Sequence, residues 1–211
     1  MDDAVKMVLA EYDKRASAEA VLQEDIPMEQ FPDRRDEFLL AVGPEAGQLL
    51  NILARESKAR AILEIGTSYG YSTVWLAEAA RETGGRVVTM EKSANKIDYA
   101  RTMLSRAGLE AHVEFRLGDA RDTIASLDGP FDFVLLDLWK DLYIPCFDLL
   151  YPNKLSAGAF LAADNMIFPE NYQDQARIYR RHVRSKPRID SVLLPVGHGI
   201  ELSRFADTLA P

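Results

Sequence analysis

The chain has 211 residues, of which 47% are hydrophobic and 27% charged, enough for one well-buried domain and short for two. Its formal net charge of −8 argues against a broad phosphate-binding surface, so we expect no nucleic-acid partner. The single cysteine, Cys146, excludes an internal disulfide and a cysteine-based zinc site, and without a signal peptide or an apolar run approaching ~20 residues we expect a cytoplasmic protein that makes no membrane contact.

The N-terminal part of the chain is predicted to be a helical extension. Apolar residues near helical spacing indicate an amphipathic helix over 2–22. Residues 23–35 contain two prolines and are predicted to form a connector, which could cover a site or meet a partner subunit in a homodimer. Pro44 suits the first turn of the next helix, where its missing N–H is not needed. The chain is therefore interpreted as a single domain, 1–211, with an extension at 1–37 and a core at 38–205.

Beyond residue 60, short apolar runs alternate with helical segments. Strands are predicted at 61–65, 86–91, 112–117, 131–137 and 158–163, with helices between them at about 71–82, 94–107, 120–127 and 142–152. Such an alternation predicts a parallel sheet with helices on both faces. After a helix near 171–184, two strands at 188–195 and 199–205 are predicted to form an antiparallel hairpin. The predicted fold class is α/β, a doubly wound, mostly parallel sheet of seven strands.

A glycine-containing turn follows the first predicted strand and opens a helix. Gly66 and Gly70 allow the backbone to approach a ligand closely, and the new helix offers free N–H groups to a carboxylate or phosphate. Glu91 closes the next strand about twenty residues later, where an acidic side chain can bind ribose hydroxyls. The spacing of the two glycines does not fit the dinucleotide pattern Gly-x-Gly-x-x-Gly. We interpret the turn as a nucleotide-type ligand site.

The same turn also spells Gly-x-Ser-x-Gly, the pattern of a hydrolase nucleophile elbow. Ser68 would be the nucleophile, and Asp164 and His198 follow in the chain order Ser, Asp, His. However, an elbow normally comes after several strands, whereas the sixty residues before this turn are predicted to be helical. A serine hydrolase therefore stays an alternative of lower weight.

Acidic and amide side chains end two later strands of the predicted sheet. Asp137 follows the fourth strand, and Asp164 and Asn165 follow the fifth. Their oxygen atoms suit a hard divalent cation, with Mg²⁺ the natural choice and Mn²⁺ or Ca²⁺ as others. Asp and Asn also follow strands simply because they tolerate turns. Lys140, three residues past Asp137, could act as a general base if a bound cation lowers its pKa, although a loop lysine is usually exposed.

From about Phe38 to Arg204 the chain resembles the Mg²⁺-dependent catechol O-methyltransferases, within the class I S-adenosylmethionine-dependent methyltransferases. The motifs that carry the resemblance are Val42-Gly43 with Gly47-Gln48, Leu63 to Gly66 with Gly70 to Ser72, Glu91, Asp137 with Trp139 to Asp141 and Tyr143, Ala163 to Asn165, and Gly199 to Glu201. The resemblance implies a Rossmann-like methyltransferase fold and S-adenosylmethionine (SAM) as a cofactor.

The resemblance also implies a role for each matching residue. The cofactor-binding set is Val42, Glu64, Gly66, Gly70, Tyr71, Ser72, Glu91, Asp119, Ala120, Asp137 and Trp139, with Glu91 on the ribose and Asp119 and Ala120 at the adenine. The metal ligands are Asp137, Asp164 and Asn165. The acceptor-binding set is Phe38, Trp139, Lys140, Asn165 and Glu201, with Lys140 as general base and Glu201 accepting a hydrogen bond from the second hydroxyl.

The sequence therefore predicts an O-methyltransferase that uses SAM and a divalent metal to methylate one hydroxyl of a small ortho-diphenol. Methyl transfer from a sulfonium to a phenolate requires mainly that the anion be generated and aligned. A second alternative is a non-catalytic domain that binds SAM and acts through a partner, although such a domain has no need of Lys140 and a full metal set.

Overall fold

A computed structural model describes residues 1–27 and 30–206. Its helices are α1 (Asp3–Glu24), α2 (Phe31–Arg34), α3 (Pro44–Glu56), α4 (Tyr71–Thr83), α5 (Ala94–Arg106), α6 (Ala120–Ser126), α7 (Tyr143–Leu150) and α8 (Gln173–Arg184). Its strands are β1 (Ala61–Ile65), β2 (Arg86–Glu91), β3 (Val113–Leu117), β4 (Phe131–Leu136), β5 (Leu155–Ala163), β6 (Ile189–Leu194) and β7 (Ile200–Phe205). Residues 28–29 of the predicted connector and 207–211 of the predicted domain lie outside the described residues.

The seven strands form one sheet in the order β3-β2-β1-β4-β5-β7-β6. β1 to β5 run parallel, and β7 is antiparallel to both β5 and β6. The predicted doubly wound α/β fold with a C-terminal antiparallel hairpin is confirmed. β5 begins at Leu155, earlier than the predicted 158, because a register irregularity between Phe131 and Phe133 of β4 lets the two strands continue to pair.

Both faces of the sheet are buried. Phe133 and Leu135 of β4 belong to a core shared with α1, α3 and α4, whereas Val134 and Leu136 belong to a second core shared with α7 and α8. Successive side chains of a strand point to opposite faces, so a central strand covered on both sides is apolar throughout. The sheet is therefore covered on both faces, and the loops lie at the two ends of its strands.

Helix starts also follow the sequence closely. Pro44 is the first residue of α3, and the Asp119 side chain caps α6 by accepting the Arg121 N–H. Ser93 is the N-cap residue of α5, but its side chain makes no capping hydrogen bond. Within the part of the chain that the structure describes, no helix combines the length and the apolarity needed to cross a membrane.

Candidate functional site

Four predicted site residues stand in one row along the carboxyl edge of the sheet. Met90 pairs with Ile65, Ile65 with Leu136, and Leu136 with Ala163. The residues that come next in each strand are Glu91, Gly66, Asp137 and Asp164. Because neighbouring strands lie about 4.8 Å apart, the row from Glu91 to Asp164 spans roughly 14 Å. The sheet therefore arranges the predicted ribose contact, the glycine turn and the predicted metal ligands in a line.

The glycine turn brings β1 close to β4. Gly66 has φ +108°, and a β-carbon built on it would lie 1.9 Å from the carbonyl oxygen of Asp137. Gly70 has φ +92° and caps α4, and a β-carbon there would lie 2.7 Å from Cβ of Ala100. The N–H groups in the first turn of α4 have no acceptor within their helix, so they can bind an anionic group at the turn.

Glu91 is fixed by the backbone around it. Its carboxylate accepts the N–H groups of Ser68 (3.0 Å), Lys92 (2.9 Å) and Ser93 (3.0 Å). A carboxylate has about four lone-pair positions, so one stays open for a ribose hydroxyl. The acidic side chain is thereby held in one orientation next to the turn.

Glu64 lies beneath the turn and is fully buried. Its carboxylate accepts the hydroxyls of Ser72 (2.6 Å), Thr73 (2.5 Å) and Thr89 (2.6 Å). Burial raises the pKa of Glu64 to about 7, although the three hydroxyl donors oppose this. Glu64 and Ser72 therefore form the floor of the turn and fix the start of α4.

Tyr71 and Val42 lie in the core between the turn and the N-terminal helices. The Tyr71 hydroxyl donates to Oδ1 of Asp13 in α1 (2.8 Å), and its ring packs edge-on against Tyr12 with 5.6 Å between centroids. Val42 is buried in the same core. The side chain of Tyr71 thus binds α1, and what it offers to a cofactor is its backbone N–H at the start of α4.

The predicted adenine end of the site is Asp119 and Ala120, at the start of α6. Asp119 accepts hydrogen bonds from the Arg121 side chain (3.0 Å) and forms an ion pair with Lys92 (3.0 Å). Arg121 and then Lys92 hold the pKa of Asp119 well below its usual range. Ala120 is buried. The ion pair with Lys92 links the start of α6 to the carboxyl end of β2.

Two carboxylates lie at the opposite end of the row, the buried Asp164 and the half-buried Asp137. Asp164 is 1% exposed, and neither of its carboxylate oxygens has a hydrogen-bond partner among the described residues. Burial raises the pKa of Asp137 to about 6, and burial together with Asp137 raises the pKa of Asp164 well above its usual range. A buried polar group without a partner costs free energy, and a cation bound by these oxygens would offset that cost.

The donors present fit a hard divalent cation. Asp137, Asp164 and Asn165 offer oxygen atoms only, the ligands that Mg²⁺ and similar ions prefer. No group of three His, Cys, Asp or Glu residues suited to a metal occurs in the described ranges 1–27 and 30–206. The third predicted ligand, Asn165, is an amide and does not count toward such a group. Asn165 has φ +57°, which asparagine tolerates better than most residues.

Lys140 lies beside this pair of carboxylates. Its Nζ donates to the main-chain oxygen of Asp164 (2.8 Å) and lies 3.7 Å from the ring centroid of Tyr143. The Tyr143 hydroxyl donates to the same oxygen (3.1 Å). Burial lowers the pKa of Lys140 to about 8, against the opposing effects of Asp137 and Asp164. The amine is therefore held at the predicted metal ligands rather than in solvent.

The two predicted aromatic walls differ in exposure. Phe38 is 4% exposed and stacks on Phe31, with 6.0 Å between ring centroids. Trp139 is 36% exposed and is thus open to a ring-shaped acceptor. Ile167 and Phe168, which follow the Asp164 end of the row, are also exposed. These exposed side chains at this end of the row are therefore apolar.

The segment before Phe38 is fastened over the glycine turn by three contacts. Lys96 of α5 forms an ion pair with Asp36 (2.6 Å), the Tyr69 hydroxyl donates to the Asp36 carbonyl (3.0 Å), and Glu19 of α1 accepts the Leu39 N–H (2.6 Å). The Tyr69 bond links Asp36 of the extension to the turn that carries Gly66 and Gly70. Asp36 and Leu39 follow the predicted connector at 23–35, so both roles considered for the connector stay predictions.

Glu201 has a partner that the sequence did not indicate. It lies on β7 opposite Ala163, and its buried carboxylate accepts Nε (2.6 Å) and Nη2 (2.9 Å) of Arg184 in α8. The Ser191 hydroxyl also donates to it. The alternation of side chains along β7 turns Glu201 to the α8 face of the sheet. The structure shows a structural ion pair, and the predicted contact with the acceptor stays a prediction.

His198 lies in the connection between β6 and β7 and faces Asn165. Its Nδ1 is 3.4 Å from Nδ2 of Asn165, and burial lowers the pKa of the ring below its usual value. Ser68, by contrast, has its hydroxyl 3.4 Å from the carbonyl oxygen of Leu39. Among the hydrogen bonds of the described residues, Ser68 and His198 do not form the pair that the hydrolase alternative requires.

The family of the chain is shown by comparison with known proteins. The model of the O-methyltransferase family matches residues 19–205. The chain belongs to the O-methyltransferase family. The catechol O-methyltransferase of Mycobacterium tuberculosis is 40% identical over 130 residues, which are 61% of this chain and 58% of that protein. The catechol O-methyltransferase of Niastella koreensis is 37% identical over 133 residues, 61% and 59% of the two chains. The chain thus matches about three fifths of the length of these curated relatives.

Solved structures resemble the O-methyltransferase-family chain over nearly its full length. A cofactor-bound protein from MTB has a TM-score of 0.77 and 29% identity, with 99% of this chain and 92% of that chain covered. An O-methyltransferase from Bacillus cereus in complex with SAH has a TM-score of 0.72 and 27% identity, with 97% and 91% covered. The family membership removes the support for the serine hydrolase.

We expect Glu201→Gln to lower the stability of the fold, because Glu201 forms an ion pair with Arg184. The amide loses the charge that binds Arg184, so the free energy of unfolding should fall by about 1–3 kcal/mol. Arg184→Met should cost more, about 3 kcal/mol or above, because it leaves a buried carboxylate without its cation. Denaturant unfolding of both variants measures this. An unchanged stability with a raised KM for the acceptor in Glu201→Gln would instead support the role predicted from the sequence.

The sequence analysis gave no role to three contact residues. Tyr143 was named only as part of a motif, and its contact with Lys140 could have been predicted, since it follows Lys140 by three residues. Lys96 and Arg184 reach their partners across 60 and 17 residues of chain. No local pattern of the sequence indicates either contact.

Proposed function

We propose that this chain catalyses the transfer of a methyl group from SAM to one hydroxyl of a catechol-like small molecule, with a divalent cation bound at Asp137, Asp164 and Asn165. The observation that supports this most is Asp164, whose two buried oxygens have no partner in the described chain and lie next to Asp137 and Lys140. A module that only binds a nucleotide-type ligand gains nothing from such a costly arrangement.

Residues at one end of the row would bind the cofactor, and residues at the other end would bind the cation and the acceptor. The turn from Gly66 to Gly70 and the fixed carboxylate of Glu91 would hold the cofactor, and Asp137, Asp164 and Asn165 would hold the cation. Bound there, SAM would supply the methyl group and the cation would lower the pKa of the acceptor hydroxyl. The distance along the row, roughly 14 Å, matches a cofactor that reaches from the ribose contact to the metal end.

Lys140 would take the proton of the hydroxyl that is methylated. Its amine is held on the Asp164 carbonyl, and its partly buried place favours the neutral form that can accept a proton. Trp139 would contact the acceptor ring on the exposed side, and Phe38 would close the site from the fastened extension. The bond that forms joins the methyl carbon to the phenolate oxygen as the bond from carbon to sulfur breaks.

The reaction is tested by incubating the protein with SAM and a panel of ortho-dihydroxy aromatics, with Mg²⁺ and with a chelator, and analysing the products by mass spectrometry. We expect singly methylated product with Mg²⁺ and none with the chelator, because the hydroxyl must be acidified and aligned. Product formation that is unaffected by the chelator would overturn the metal role. SAM binding without any product would reduce the proposal to a binding role.

Metal binding is tested separately by thermal unfolding without SAM. At 100 times its dissociation constant, Mg²⁺ should stabilise the wild-type chain by about 2.7 kcal/mol, a rise in Tm of about 5–10 °C. Asp164→Asn should lose this rise. Without metal, its Tm should not fall below that of the wild type, because the substitution removes an unpaired buried charge. An equal Mg²⁺ effect in both proteins would place the cation elsewhere.

A further inference from the structure

His198, in the connection between β6 and β7, contacts the predicted metal ligand Asn165. We propose that His198 is a positioning residue that holds the amide of Asn165 so that its oxygen, and not its nitrogen, faces the cation. This inference rests on the proposed metal site. It concerns a residue that is placed to act through Asn165.

The first support is the chemistry of the amide. Asn165 can serve a cation only through Oδ1, so its NH2 group must point elsewhere and find an acceptor. Nδ2 lies 3.4 Å from Nδ1 of His198, which accepts a hydrogen bond when the ring proton is on Nε2. In the opposite orientation Oδ1 would face His198, and the NH2 group would stand on the side away from the ring. The contact with His198 therefore selects the orientation that coordinates.

The second support is that His198 and the loop after Asn165 form one bonded unit. The N–H groups of Ile167 (2.9 Å) and Phe168 (3.0 Å) both donate to the carbonyl oxygen of His198. The next carbonyl, that of Gly199, accepts the Met166 N–H (2.9 Å). The His198 ring is also packed by Phe168, with 5.4 Å between centroids. The ring is thus fixed relative to the backbone that carries Asn165.

Close approach of the two loops requires glycine next to His198. A β-carbon at Gly199 would lie 2.5 Å from Cγ1 of Ile167, and Gly199 has φ +91°. Asn165 itself is in the left-handed region, with φ +57°. Such a backbone does not by itself fix the amide of a partly buried side chain, so a second anchor is needed for a defined ligand.

The experiment measures Mn²⁺ binding to the full chain without SAM, by the electron paramagnetic resonance signal of free Mn²⁺. His198→Phe keeps a ring against Phe168 and removes the acceptor, and we expect the Kd for Mn²⁺ to rise about 10- to 100-fold. His198→Asn places an oxygen acceptor near the position of Nδ1 and should recover most of the affinity. Circular dichroism checks that both variants are folded.

A second background separates positioning from other roles of His198. In Asn165→Asp both side-chain oxygens can bind a cation, so the orientation no longer matters, and adding His198→Phe should change the Kd less than threefold. An equal loss in both backgrounds, or wild-type affinity in His198→Phe, would overturn the positioning role. Absence of Mn²⁺ binding by the wild-type chain would instead overturn the proposed metal site on which it rests.

Discussion

We expect Lys140→Met to lower kcat for methyl transfer by about 100- to 10,000-fold at neutral pH, the usual contribution of a general base. The amine donates to the Asp164 carbonyl at 2.8 Å, next to the proposed cation site, where the acceptor hydroxyl would lose its proton. Methionine has a similar length and cannot accept that proton. Steady-state kinetics with saturating Mg²⁺ measures the loss. KM for SAM should stay near its wild-type value, since the cofactor turn does not include Lys140.

Lys140→Arg distinguishes proton transfer from a purely electrostatic role. Arginine keeps the positive charge beside the two carboxylates, but its pKa is too high for it to act as a base. We therefore expect Lys140→Arg to be nearly as inactive as Lys140→Met. Near-normal activity of the arginine variant would show that the charge, and not the base, matters. Lys14→Met, at an exposed position of α1, is the matched control and should leave kcat unchanged.

The pH profile gives a readout that a structural role would not change. Without a base the acceptor must ionise by itself, and a phenol such as tyrosine has a pKa of about 10. The residual activity of Lys140→Met should therefore rise with pH toward that range. A flat profile would mean that the loss has another cause, such as a displaced Asp164 loop.

The fold and the row of site residues could be predicted because both follow from local patterns and general rules. Short apolar runs indicate the strands, and the rule that ligands lie at the carboxyl ends of parallel strands places Gly66, Asp137 and Asp164 together. Once the sheet order is fixed, neighbouring strand ends lie side by side whatever the loops do. This part of the site depends on topology alone.

The direction of individual side chains could not be predicted in the same way. Tyr71 at the start of α4 could face the turn or α1, and its bond to Asp13 decides for α1. Glu201 belongs to a motif that carries the resemblance, but its partner Arg184 lies on a different element. Such contacts depend on how elements that are distant in sequence pack together. Neither the two-residue period of a strand nor the 3.6-residue period of a helix indicates this packing.

The connector also shows that a proline does not always interrupt helical structure. Its second half contains the short helix α2, Phe31–Arg34, in which Pro32 is the second residue. Proline is tolerated in the first turn of a helix because the N–H groups there have no acceptor within the helix. The segment therefore continues as helical structure up to the contacts that fasten Asp36 and Leu39 over the turn.

The largest effect on the whole site is expected from Gly66→Ala. The added β-carbon would lie 1.9 Å from the Asp137 carbonyl oxygen, a backbone atom of the neighbouring strand end that cannot rotate away. The backbone at Gly66 is also strained for alanine, with φ +108°. We expect the free energy of unfolding to fall by more than about 3 kcal/mol. Calorimetry should detect no SAM binding in whatever folded protein remains.

Gly108→Ala separates the clash from the backbone strain. Gly108 has φ +68° in the loop after α5, and a β-carbon there meets nothing within 4 Å. The free energy of unfolding of this variant should fall by only about 1–2 kcal/mol, the cost of a left-handed backbone for alanine, and the variant should bind SAM normally. If Gly66→Ala behaved like Gly108→Ala, β1 and β4 would not be in close contact at the turn. A larger loss in Gly66→Ala, joined to a loss of Mg²⁺ stabilisation, would show that one contact between Gly66 and Asp137 sets both the cofactor turn and the metal ligand.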